Sequence, residues 1–269
     1  MLYSYAQLRD AVELRGSRYL PLFERYCTAM RANTRVLEWS CKVLDGRFEG
    51  ARFLHTARQQ TFAAAQPAVD KLLAGVGTGS FGWLRELAGD VGEGVALGYA
   101  EWGQAGARRA ELKLYVSTSR VAAVSPVIAA FVPAGASPPD GTHKVMVAAS
   151  IDETGEERPR AYYLWRREGG DPGAWLQRWC SPEERELIEA NDGRTLSIAF
   201  KAERRDMIYL TAPFAQETVR RMVAAQLGPH ELAVGQLENL RWIGFSKRGE
   251  GLASRELNAY FRTSGMGHA

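Results

Sequence analysis

The sequence has few of the residues that metal and redox chemistry needs: three cysteines and four histidines among 269 residues. Cys27, Cys41 and Cys180 lie far apart, without a C-x-x-C pair or a histidine spaced for a zinc site. Such an odd, dispersed set fits a reducing cytoplasm. None of His55, His143, His230 and His268 stands near a Ser or Cys nucleophile pattern, so each reads as structural or exposed. Dense charge of one sign is also missing. The 34 basic residues face 31 acidic ones, a formal charge of +3, with no long Lys/Arg run, which argues against a nucleic-acid partner. No segment approaches eighteen uninterrupted apolar residues, and the opening MLYSYAQLRDAVELRG carries charges where a signal peptide is apolar. The chain is therefore expected in the cytoplasm, away from membranes, as a monomer. It lacks a DDxxD pair, a GxxxxGK[ST] loop and HExxH, and Gly75, Gly77, Gly79 and Gly82 read as a loop, not a dinucleotide site.

What the sequence has is a core-sized share of apolar residues, 46%, arranged in a repeating order. That length suits one large barrel domain or two small ones. TRVLEWSCKVL and RFEGARFLHT flank Asp45-Gly46, a two-residue hairpin signal, and ARQQTFAAAQPAVDKLLAGV follows with helical spacing, interrupted by Pro67. The order recurs in GVALGYAEWG and RRAELKLYVS before the helical SRVAAVSPVIAAFV. It recurs again in HKVMVAASID and RPRAYYLWRR, joined by Glu153 to Glu157, before PGAWLQRWCSPEERELIEAN. RTLSIAFKAE and DMIYLTA precede the amphipathic QETVRRMVAAQLG, which leads into QLENLRWIGFSK and SRELNAYFRT. With the helical AQLRDAVEL and PLFERYCTAM at the start, this makes about five helix-strand-strand units. Ten antiparallel strands left open would expose two long edges. The economical arrangement is a closed ten-stranded antiparallel barrel, an α+β fold, with helices outside and a lumen wide enough for a ligand.

Residues two apart on a strand share a face. That puts Lys113 with Tyr115, Arg160 with Tyr162, and Asn258 with Tyr260, while Lys201 ends one strand and Tyr209 lies in the next. A single pair of this kind suits any solvated strand face. The recurrence points to a lumen, where fixed cations need an anion such as a diphosphate, and where tyrosine faces stabilise an allylic cation. Glu38, between Leu37 and Trp39, faces opposite to both, and Trp39 is expected beneath a helix.

The segments YLPLFERYCTAM and LEWSCKVLDGRFEGARFL, with ELKLYV, AFKAERRDMIYL and LENLRWIGFSK further on, resemble the cyanobactin-type peptide prenyltransferases of the ABBA barrel superfamily. The matches run in order through most of the chain, so residues 1–269 are expected to form one such barrel. The resemblance implies transfer of an allylic prenyl group, dimethylallyl or geranyl, from its diphosphate to a side chain of a ribosomally made, often cyclic, peptide. It further implies that Arg52, Lys113 and Lys201 hold diphosphate oxygens, with Lys247 a weaker candidate, and the alternation that pairs Arg160 with Tyr162 adds Arg160 to this set, with Mg2+ carried on the diphosphate. Tyr115, Tyr162, Tyr209 and Tyr260 would screen the cation, and Glu38 would sit on the acceptor side as proton acceptor. Where relatives carry tyrosines after ENxR, this chain has Trp242, Ile243, Gly244 and Phe245. Gly244 either deepens the prenyl pocket or marks a strand irregularity. Two rival readings are a prenyltransferase for small aromatic molecules and a barrel that holds an isoprenoid or anionic lipid without chemistry.

Overall fold

A computed structural model describes residues 4–11, 18–31, 34–44, 47–57, 62–76, 81–102, 109–170, 172–191, 195–201, 204–212, 239–247 and 255–263. The first unit is α1 (Tyr5–Ala11), α2 (Leu20–Ala29), β1 (Thr34–Leu44) and β2 (Arg47–Ala57). Then follow α3 (Phe62–Val76), α4 (Gly82–Val91), β3 (Gly94–Trp102), β4 (Arg109–Thr118), α5 (Val121–Ala129), β5 (Thr142–Asp152) and β6 (Glu157–Arg166). The chain continues through α6 (Gly173–Trp179), α7 (Pro182–Ala190), β7 (Thr195–Lys201), β8 (Arg204–Thr211), β9 (Leu240–Lys247) and β10 (Arg255–Arg262). Every strand pairs antiparallel with its neighbours in sequence, and β10 closes on β1. The expected ten-stranded closed barrel is the fold observed.

The alternation of side chains decides what each face does. On β1, Leu37, Trp39, Cys41 and Val43 point outward and are buried under the surrounding layer. Trp39 stacks on Phe261 of the neighbouring β10 at 5.0 Å between centroids, so it belongs to the packing face. The same outer core takes in Leu97 and Tyr99 of β3, Leu112 and Leu114 of β4, and Phe200 of β7, against which Trp175 and Trp179 of α6 set their rings edge-on. Cys27, Cys41 and Cys180 are free, buried thiols.

The structure differs from the sequence reading in four local respects. The stretch PGAWLQRWCSPEERELIEAN forms two helices, because Ser181 starts a capping box with Glu184, and Pro182 takes the first helical position, where its missing N–H costs nothing. α4 was not expected: Gly82 opens it, directly after Phe81, whose left-handed backbone (φ 57°) is held by a hydrogen bond from its N–H to Glu157. Gly75, too, is helical, lying within α3. α3 also runs through Pro67, which removes one helical hydrogen bond without ending the helix. The expected helix QETVRRMVAAQLG, His230 and His268, and the turns at Asp45-Gly46 and Gln104 to Gly106 lie outside the described residues.

Five breaks in register interrupt the ladders, each inserting one extra residue: Arg35 on β1, Glu49 on β2, His143 on β5, Asp206 on β8 and Arg241 on β9. Every one of the five is ionisable. Bulges bend a strand and re-aim a side chain, and one of these brings the Asp206 carboxylate into the lumen.

Candidate active site

Four tyrosines form a belt across the middle of the lumen. They come from the even-numbered strands: Tyr115 on β4, Tyr162 on β6, Tyr209 on β8 and Tyr260 on β10. Their centroids follow one another at 5.8, 6.0 and 5.9 Å. The strands between them supply small partners in register, with Tyr115 opposite Ala148, Tyr162 opposite Ala199, Tyr209 opposite Gly244 and Tyr260 opposite Ser40. These small partners leave room for the rings on one flank, while on the other Met146 faces Tyr162 and Trp242 faces Tyr260 in register. Two glycines are required by close approach. A Cβ on Gly244 would stand 2.6 Å from the Tyr209 ring, and one on Gly98 would stand 3.3 Å from the ring of Tyr115. Gly244 therefore makes room for Tyr209. The depth that its missing side chain offers is already taken by that ring.

On one side of the belt lies a polar cavity of about 200 Å3, lined by Lys42, Arg52, Glu111, Arg158, Arg160, Lys201, Asp206 and Glu256 among others. Lys113 and Arg160 each precede a belt tyrosine by two residues, so strand alternation aims both into the lumen. The cations are cross-linked by carboxylates: Lys113 to Glu111 at 2.9 Å, Arg160 and Lys201 both to Asp206 (the Arg160 contact is 2.9 Å), and Lys42 to Glu256 at 3.3 Å. Arg52 donates to Asn258, which also donates to Glu256 at 3.2 Å and to the Met207 sulfur. Both this arginine and Lys113 adjoin the belt, 5.8 Å from the Tyr260 ring centre and 5.9 Å from that of Tyr115. Burial alone would raise the carboxylates of Glu111 and Asp206. Lys113, Arg160 and Arg52 around the first, and Arg160 and Lys201 around the second, bring each down to about 2. Burial, with the Arg160 charge nearby, lowers Lys113 and Lys201.

Of the residues singled out in the sequence, Arg52, Arg160 and Lys201 line this cavity, Lys113 joins them through its ion pair with Glu111, and the side chain of Lys247 lies outside the described residues. The cavity also contains Lys42, Arg158 and the three carboxylates, which the reading of cations alone passed over. Glu111 and Glu256 stand in the same frame as the tyrosines, in E-L-K-L-Y and E-L-N-A-Y, so their alternation was a usable signal.

Beyond the belt, on the opposite side, Glu38 points inward, two residues from Ser40 and directly across from Arg262 in register. Among the described residues its carboxylate makes no hydrogen bond. Burial pushes it up to about 7, against the pull of Arg262 and Arg241. Burial likewise raises the phenols of Tyr115, Tyr209 and Tyr260, so these rings stay neutral. A larger groove of about 370 Å3, lined by Trp165, Leu176, Arg185 and Ile188 among others, lies outside the barrel beside α6 and α7, apart from this lumen.

The lumen is therefore layered: a cation-rich cage, a belt of tyrosines, then the carboxylate of Glu38. Such layering holds an anion at one end, faces developing positive charge in the middle and accepts a proton at the other.

No protein-family model matches the chain, and no curated protein matches it. Among solved structures it is similar to NotF in complex with brevianamide F and DMSPP, with a TM-score of 0.57 and 11% identity, over 96% of this chain and 92% of NotF. That likeness shows the fold, the ABBA barrel implied by the sequence resemblance.

Proposed function

We propose that this chain is a prenyltransferase that moves an allylic group from its diphosphate to a side chain of a peptide. The observation that carries the reading is the sequence of layers in one lumen, with cations paired to internal carboxylates directly beside four tyrosine faces. Resemblance of the sequence to peptide prenyltransferases supports a peptide acceptor.

In this reading Arg52, Lys113, Arg160 and Lys201 bind the donor's phosphate oxygens. The allylic C–O bond breaks, its electron pair leaves with the diphosphate, and the cations stabilise that charge in a site already organised around them. The allylic cation meets the rings of Tyr115, Tyr162, Tyr209 and Tyr260, which attract it through their faces and keep water from it. Because Tyr115, Tyr209 and Tyr260 are held protonated, the screen is a poor nucleophile toward the cation it faces. The acceptor's electron pair then forms the new bond to the prenyl carbon, and the proton it releases passes to Glu38. A carboxylate poised near neutrality suits that task.

Among the described residues no group of three or more His, Cys, Asp or Glu gathers as a metal site. The cage carboxylates are engaged by cations, so the residues present do not fit a protein-held metal. Mg2+ enters the proposal only as a counter-ion brought by the donor.

The test is mass spectrometry of the purified protein with dimethylallyl or geranyl diphosphate, Mg2+ and either a peptide panel bearing Trp, Tyr, His and Arg or free small aromatics including brevianamide F. A gain of one prenyl unit on a peptide is the expected result. Transfer to the small aromatics alone would replace the peptide reading. Tight diphosphate binding without transfer to anything would leave a binding barrel.

A further inference from the structure

We infer that Arg241 and Arg262 form an anion-recognition pair beside Glu38, and that the acceptor presents a carboxylate next to the group that is alkylated. This rests on the transferase reading above and names the acceptor's chemistry.

Three observations combine. Arg262 is the residue of β10 directly opposite Glu38 on β1, so strand alternation gives both the same inward face. Arg241 is the extra residue of the β9 bulge, between Leu240 and Trp242 on the strand beside Arg262, and its charge acts on the same carboxylate. Both guanidinium groups are exposed, and among the described residues neither makes an ion pair or donates a hydrogen bond. The contrast with the cage is direct, since Lys42, Lys113, Arg160 and Lys201 each have a carboxylate partner there.

Two exposed guanidinium groups flank one half-buried carboxylate and keep donors that Glu38 does not use. Each fork offers parallel N–H donors that match a carboxylate. Lys144, inward-facing on β5 at the same end of the barrel, adds a third positive group, partly answered by Glu93. A guanidinium acceptor would enter against these charges with Glu38, beside the two arginines, as the carboxylate to receive it. A neutral nucleophile, such as an indole, phenol or imidazole, flanked by a chain-terminal or side-chain carboxylate fits both features: its proton goes to Glu38 and its anion to the arginines.

The probes are N-acetyl-Trp-Gly, N-acetyl-Tyr-Gly and N-acetyl-His-Gly as free acids and as C-terminal amides, with dissociation constants read by NMR titration in low salt. For the unaltered protein the acid of at least one pair should bind ten-fold or more tighter than its amide. In R241Q/R262Q the two should bind within two-fold of each other, whereas R25Q, which removes one exposed positive charge on α2, should keep the preference. Equal binding of acids and amides, no binding of either, or a preference that survives in R241Q/R262Q would overturn the inference. The same probes with dimethylallyl diphosphate separate it from the transferase reading. An acid preference without any mass gain would sink the transferase reading while leaving the anion site in place; a mass gain on amides as efficient as on acids would do the reverse.

Discussion

The two ends of the lumen solve the same problem, charge inside a barrel, in opposite ways. At the cage end almost every charge has an internal counter-charge, and the hydrogen bonds from Arg52 through Asn258 to Glu256 join pairs on different strands. At the Glu38 end one carboxylate and two arginines stand close without bonding to one another among the described residues. The first arrangement fixes geometry before a ligand enters, which is what electrostatic catalysis of a leaving group requires. The second leaves groups available, as suits a partner that differs from one acceptor to the next.

The largest expected effect comes from breaking the cage. Removing Lys113 alone takes from buried Glu111 its hydrogen-bonded partner and leaves only the charges of Arg160 and Arg52 to answer it, so K113A should lose roughly 3 kcal/mol of stability as well as activity. The double variant K113M/E111Q removes both charges. It should stay folded, with a denaturation midpoint near that of the unaltered protein, yet turn over at least ~100-fold more slowly. Unchanged turnover in that variant would take Lys113 out of the donor site.

At the other end, E38Q should lower kcat by about 100-fold. In the unaltered protein kcat should fall as pH drops through about 7, where Glu38 gains its proton, and E38Q should lose that limb. Stability runs the other way. A carboxylate raised in the folded state contributes most below the ordinary carboxylate range, and that contribution is lost as pH rises through about 7. Thermal melts should therefore find E38Q more stable than the parent at pH 8, by roughly 2–3 kcal/mol, with the gap closing near pH 4. A gap independent of pH would mean that Glu38 ionises freely.

Between the two ends, G244A would push the Tyr209 ring off its seat and should cost about 1–3 kcal/mol by overpacking, read by chemical denaturation. It should also change the preference between dimethylallyl and geranyl donors. The smallest effect belongs to the cage rim. Lys42 is partly solvated and Glu256, though buried, keeps the hydrogen bond from Asn258, so K42M should shift stability by about 1 kcal/mol, while weakening diphosphate binding measurably.

The barrel was legible because hairpin turns and a period of two recur often enough to count strands. The belt was legible for the same reason: Lys113 with Tyr115 and Arg160 with Tyr162 obey simple alternation. Asp206 and Arg241 were not, because each sits in a bulge, and alternation counted through a bulge assigns the wrong face. Asp206 is three residues from Tyr209, an odd spacing that places them on opposite faces of a regular strand, yet it bonds to Arg160 and Lys201 in the lumen. α4 escaped notice because its start depends on Glu157 holding Phe81 from 76 residues away in the chain, a tertiary bond with no local signature.

The five bulges have a consequence for how such a barrel changes over time. A substitution within a regular ladder alters a side chain that already has a defined role, whereas a one-residue insertion adds a position and leaves the residues before and after it on their original faces. Arg35, Glu49, His143, Asp206 and Arg241 occupy such added positions, and each brings an ionisable group. The fold can thus acquire or discard a charge by gaining or losing a single codon, without redrawing the packing of ten strands. Deleting Arg241 outright should give a barrel that still closes and has lost one binding preference.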